Sequence, residues 1–107
     1  MSGMLEQIQS LIRKGAVRIS DHGYDELAAD AIAVRDVIAG LPGAVVVEEY
    51  PEFAKGPCLL ALQRDRDGRP VHVVWGIAKG AVSPAVLVTA YRPDPKRWTE
   101  DYLERKP

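Results

Sequence analysis

The spacing of hydrophobic positions along the chain changes character near Gly43. Before it, Met4, Leu5, Ile8, Leu11 and Ile12 recur at helical intervals and form one apolar stripe. Arg13, Lys14 and Gly15 follow as a basic last turn and a glycine stop, so the spacing predicts an amphipathic helix over residues 3–14. Val17 and Ile19 alternate with Arg18 and Ser20, which predicts a short extended piece. Ser20 or Asp21 then supplies the side-chain oxygen that caps a second helix. Tyr24, Leu27, Ala28 and Ala31 give that helix its apolar face. A third, about 33–40, turns Val34, Val37 and Ile38 inward, and the joint of the helical pair falls near 30–33.

Beyond Gly43 the period is two. Residues 44–50 are rich in β-branched side chains and end at Pro51, which predicts a strand. The segment 51–57, with two prolines and a glycine, is a loop. Further strands are predicted over 58–64, 70–77 and 83–91. Asp67-Gly68 places a tight hairpin turn at 65–69, because both residues tolerate positive φ. Strands joined by short turns pair antiparallel, so the expectation is a meander of about four strands. Asp94 and Pro95 have the form of an N-cap and first helical residue, and Trp98, Tyr102 and Leu103 share a face, which predicts a short closing helix. The predicted class is α+β: N-terminal helices packed on an antiparallel sheet, in one domain spanning 1–107.

Composition narrows the functional classes. The chain has 107 residues, 47% hydrophobic and 27% charged, which fits a folded domain rather than a disordered one. Its one cysteine, Cys58, excludes an internal disulfide, and Cys58, His22 and His72 lie too far apart in sequence to suggest a metal cage. No cofactor motif is present. The N-terminus lacks the features of a signal peptide, and no apolar run approaches the ~20 residues of a membrane helix. The expectation is a cytoplasmic protein with no membrane association. A net charge of −1 gives no global attraction to nucleic acid.

Four polar residues are candidates for chemistry. His22 stands at a predicted helix start beside Arg18, Ser20 and Asp21, where it serves either as a general acid–base or as part of a cap. His72 shares one face of its strand with Val74 and Gly76, while Val71, Val73, Trp75 and Ile77 share the other. If the second set packs on the helices, His72 points to the open side of the sheet. Tyr91 and Arg92 end the last strand beside a loop, a favourable place for a proton donor and a phosphate-gripping cation. Trp75 and Trp98 fit core and docking positions, and Cys58 fits a small core residue.

The segments Ile19-Ser20-Asp21-His22, Gly56-Pro57-Cys58-Leu59, Gly68 to Trp75, and Val88 to Pro93 occur together in order. In this the chain resembles the bacterial family labelled domain of unknown function 4258, over nearly its whole length. The layout of that family is similar to small ribonuclease toxins of the RelE and BrnT kind. The resemblance implies a metal-independent RNA cleavage, with His22, His72, Tyr91 and Arg92 acting on the ribose hydroxyl and phosphate. Many members of the family that the chain resembles carry arginines one and two turns after the helix-start histidine, whereas this chain has Glu26 and Asp30, whose charge repels an RNA backbone. The competing expectation is a non-enzymatic module that presents its open sheet face or an edge strand to a protein partner or, as a homodimer, to a second copy.

Overall fold

The computed structural model describes residues 3–107. Helix α1 runs Gly3–Arg13 and strand β1 Val17–Ile19. Helices α2, Asp21–Ala29, and α3, Val34–Gly40, follow, the latter extended by a 3-10 turn at Leu41–Gly43. Four strands complete the sheet: β2 Val45–Tyr50, β3 Cys58–Arg64, β4 Pro70–Ile77 and β5 Ala85–Tyr91.

Each helix ends where its sequence provides for the free backbone groups. Gly15, at φ 78°, closes α1 as its amide bonds the Ile12 carbonyl at 3.0 Å and the Ala16 amide bonds that of Leu11 at 2.9 Å. Ser20, rather than Asp21, caps α2: its hydroxyl oxygen accepts from the Gly23 amide at 2.9 Å. The same hydroxyl donates to the Val88 carbonyl, at 2.9 Å, and so pins the start of α2 to β5.

The sheet order is β1-β5-β4-β3-β2. The antiparallel order predicted for the strands after Gly43 holds for β2 to β5, but the sheet is not a four-strand meander. The sheet has five strands and is mixed, because the extended piece at 17–19 pairs parallel with β5, Val17 opposite Ala85 and Ile19 opposite Leu87. A parallel pair needs a long crossover, and here everything from α2 to β4 supplies it. Asp65 fixes the β3–β4 hairpin, its carboxylate accepting from the Asp67 and Arg69 amides, both at 2.9 Å, with Gly68 at φ 79°.

The predicted C-terminal helix is absent. Asp94 starts a single turn, its carbonyl accepting from Arg97 and Trp98, and the chain then doubles back with the Lys106 amide bonding the Arg97 carbonyl at 2.8 Å. Local side chains redirect it: Thr99 Oγ1 donates to Asp101 Oδ1 at 2.6 Å, and Asp101 Oδ1 accepts from the Leu103 amide at 3.1 Å. Short polar side chains that bond neighbouring backbone in this way compete with a helix. The result is an irregular strap, residues 93–107, lying over one part of the sheet with Trp98 buried.

One face of the sheet carries Leu59, Ala61, Val71, Val73, Trp75 and Leu87 into a core shared with Ile8, Leu27, Val37 and Leu41 of the helical layer. Within it, the Trp75 indole N–H donates to Gln63 Oε1 at 2.8 Å, and Gln63 Nε2 donates to the Val37 carbonyl at 2.7 Å. Both residues are buried, so this chain of bonds satisfies groups that have no water to turn to. Gln63→Leu is therefore expected to destabilise the fold by about 2 kcal/mol through the stranded indole and carbonyl. Urea denaturation reads the loss, and an unchanged midpoint would show that the bonds are dispensable.

Candidate functional site

The other face of the sheet is divided. On one part lies a groove of about 600 Å³. Val74 and Gly76 of β4, Val86 and Val88 of β5, and Cys58 of β3 line it. Val88 is there because of a bulge: the pairing steps from Val74–Thr89 to Trp75–Leu87, leaving Val88 as the extra residue of β5. Gly76 gives the groove depth. A Cβ at that position would stand 3.2 Å from Cys58 Cβ and from the Pro57 carbonyl oxygen, and 3.6 Å from a Val88 methyl.

The walls come from segments outside the strand centres. Tyr50 ends β2, and the loop after it contributes Phe53, Lys55 and Pro57. This loop is riveted to the end of β4, the Ile77 amide bonding the Pro57 carbonyl at 3.1 Å and the Lys79 amide that of Lys55 at 3.0 Å. Gly56 permits the approach, since a Cβ there would fall 2.2 Å from the Ile77 oxygen. Arg18, Ser20 and His22 form the remaining wall. Phe53 is 54% exposed, and Tyr50 and Val88 are each 36% exposed. Among the described residues, Arg18 and Lys55 line the groove and no carboxylate does. Burial pushes the Cys58 thiol up, so it stays protonated and acts as part of the apolar floor.

The strap covers a different part of the same face. His72 lies on the face opposite the helices, as its strand position suggests, but the strap leaves it no exposed surface. Its Nε2 lies 2.9 Å from the Tyr102 carbonyl and its Nδ1 lies 3.2 Å from the Tyr91 hydroxyl. A carbonyl only accepts, so Nε2 carries the proton and Nδ1 accepts from Tyr91. The Trp98 ring meets the imidazole edge-on at 4.4 Å, and the Arg105 guanidinium lies 4.6 Å over the Trp98 ring. Arg105 in turn bonds Glu48 at 2.9 Å, and Tyr50 donates its hydroxyl to the same carboxylate. Arg105 and Tyr50 hold Glu48 below the usual carboxylate range.

The four predicted site residues therefore divide into three places. His72 and Tyr91 meet beneath the strap. Arg92 turns away from them: its guanidinium pairs with Asp65 at 2.8 Å and bonds the Pro70 carbonyl at 3.3 Å, while Asp30 accepts from its amide at 2.8 Å. His22 lines the groove, with a side chain 66% exposed and 3.8 Å from Glu26. Arg18, Phe53 and Lys55 were not legible as site residues. Their only sequence signal is an aromatic and a cation within a proline-flanked loop, and an arginine at the exposed position of a short strand. Among the described residues, no three of His, Cys, Asp and Glu cluster to hold a metal ion, and no helix is long and apolar enough to cross a membrane.

A mixed five-stranded sheet backed by three helices, with an apolar groove on its uncovered side, defines a small α+β domain. A sequence profile described as "Domain of unknown function (DUF4258)" matches residues 19–92, and the chain belongs to that family. No curated protein and no solved structure matches it.

Burial pulls the His72 pKa down, and Arg105 adds to the effect, against the opposing pull of the Tyr102 carbonyl and Glu48. Above the ordinary histidine value of about 6.5 both folded and unfolded chains are neutral at this position. As pH falls below that value the unfolded chain takes up a proton that the folded chain resists, so stability declines until the folded pKa is reached. Urea midpoints measured from about pH 7.5 to pH 5.5, a range above the carboxylate pKa values, should thus fall. His72→Gln, which keeps a donor for Tyr102, should remove most of that slope. An equal slope in the variant would place its origin elsewhere.

Proposed function

We propose that the domain is a non-enzymatic interaction module that takes an acidic, apolar segment of a partner polypeptide into the groove. The observation that carries this reading is the composition of the groove. Its floor is aliphatic, Phe53, Tyr50 and Val88 remain exposed around it, and its charged lining is cationic. Exposed apolar surface of this kind on a small domain marks an interface. Arg18 and Lys55 in the lining favour an occupant that brings its own acid, although the chain as a whole has more acids than bases. Aromatic side chains at such a rim are well suited to anchor the occupant.

A second reading, toxin-like RNA cleavage, draws support from His22 at the groove beside Arg18, where a base and a phosphate-binding cation would stand together. His72 is buried beneath the strap, and Arg92 is neutralised by Asp65, so the four-residue centre would need the strap to move.

Selection from a displayed library of random twelve-residue peptides distinguishes the readings. Binders should be enriched in Asp or Glu next to Leu, Phe or Trp, and should lose at least tenfold in affinity against Val88→Asp or Phe53→Ala, a loss of about 1.4 kcal/mol. Binders indifferent to both substitutions would overturn the groove as the docking site. A concentration-dependent mass, abolished by Val88→Asp, would make a second copy the occupant. RNA cleavage in chelator that is lost in His22→Ala would instead establish the nuclease.

A further inference from the structure

We infer that the strap, residues 93–107, is a removable cover on a second part of the same binding face, and that an aromatic side chain of the partner replaces Trp98 when the cover lifts. The inference rests on the groove being a docking site. Its starting point is the seat under the strap. Leu62, His72 and Tyr91 are consecutive register partners on the face opposite the helices. Val74, which lines the groove, is two residues from His72 on the same face of β4. Groove and seat are thus adjoining parts of one surface, and only the strap separates them.

The strap itself shows what the seat accepts. Trp98 presents its ring to the His72 edge at 4.4 Å, and a backbone carbonyl, that of Tyr102, takes the Nε2 proton at 2.9 Å. Both are features any polypeptide with an aromatic residue can supply. The seat belongs to the family-matched residues 19–92, whereas the strap lies beyond them.

The attachment is of a kind that opens locally. The strap has one helix-like turn and a single bridge, Trp98 to Arg105, in place of a helix or a paired strand. Tyr102 sits at φ 61°, a conformation that costs a side-chain-bearing residue energy. The Arg105 side chain that fastens the strap to Glu48 is 60% exposed, and ion pairs at that exposure are weak. A segment with so few buried anchors opens at lower free energy than the sheet beneath it. The groove also reaches the fastening directly: Tyr50 lines the groove, its hydroxyl bonds Glu48, and Glu48 holds Arg105. An occupant that draws Tyr50 toward itself loosens Arg105.

Amide hydrogen exchange on the full chain, alone and with a peptide selected as above, tests this. Alone, the amides of Thr99, Tyr102 and Lys106, bonded within the strap, should exchange well before those at the centre of β3 and β4. With the peptide bound they should exchange faster still, while Gly76 and Val88 become protected. Arg105→Ala should tighten peptide binding by about two- to fivefold, because the fastening no longer opposes opening. Strap amides as slow as the sheet, or strap protection unaltered by peptide, would overturn the cover. Phe53→Ala abolishing binding while Arg105→Ala leaves it unchanged would refute the cover and leave the groove reading standing. Absence of any Val88-dependent peptide would refute the groove reading itself, and the exchange rates of the free protein would still decide whether the strap opens.

Discussion

Side chains of β4 leave the sheet alternately to its two faces, and because β3 and β5 pair along both edges none can change sides. This constraint arranges the rest of the molecule. Val71, Val73, Trp75 and Ile77 enter the helix-side core. His72, Val74 and Gly76 are thereby committed to the opposite face, where no helix is available to cover them. That face needs another solution for each residue. The strap buries His72, Val74 is half-buried, and Gly76 offers no side chain to bury. The groove is what remains of a sheet face that the helices cannot reach.

A register shift of one residue would exchange the two sets, exposing Trp75 and driving His72 into the helical core. Three features oppose it. The Asp65–Gly68 turn fixes how β3 meets β4, Gln63 bonds Trp75 only in this register, and the β5 bulge at Val88 keeps Leu87 and Ala90 both inward despite their odd separation. The same bulge delivers Val88 to the groove. Stability of the core and shape of the candidate site therefore depend on the same backbone irregularity.

Much of this was readable in advance, for identifiable reasons. The bounds of β3 and β4 follow from alternation and from an Asp-Gly turn, both of which are local. Ser20 as a cap is local as well. The parallel pairing of β1 is not, since three residues carry little pattern and their partner lies nearly seventy positions away. The strap was misjudged because Asp94-Pro95 does open a helical turn, yet Trp98 gains more from docking on His72 than a short helix gains from its own bonds. Of the candidate site, His22 was visible as a polar residue beside a cap. Phe53, Lys55 and Arg18 became meaningful only once Gly56 and the parallel pairing of β1 brought their segments to one groove.

Binding of an apolar group carrying negative charge to the uncovered sheet face is the proposal on which the functional reading turns. Nuclear magnetic resonance titration with two small probes of similar shape, phenylacetate and phenethylamine, tests it most directly. Phenylacetate should shift the amide signals of Gly56, Gly76 and Val88, leave Gly68 at the distant hairpin unmoved, and do so less in Arg18→Gln. Phenethylamine should perturb these signals weakly or not at all. Equal response to both probes, or shifts concentrated away from the groove, would rule out binding of an anionic apolar group there.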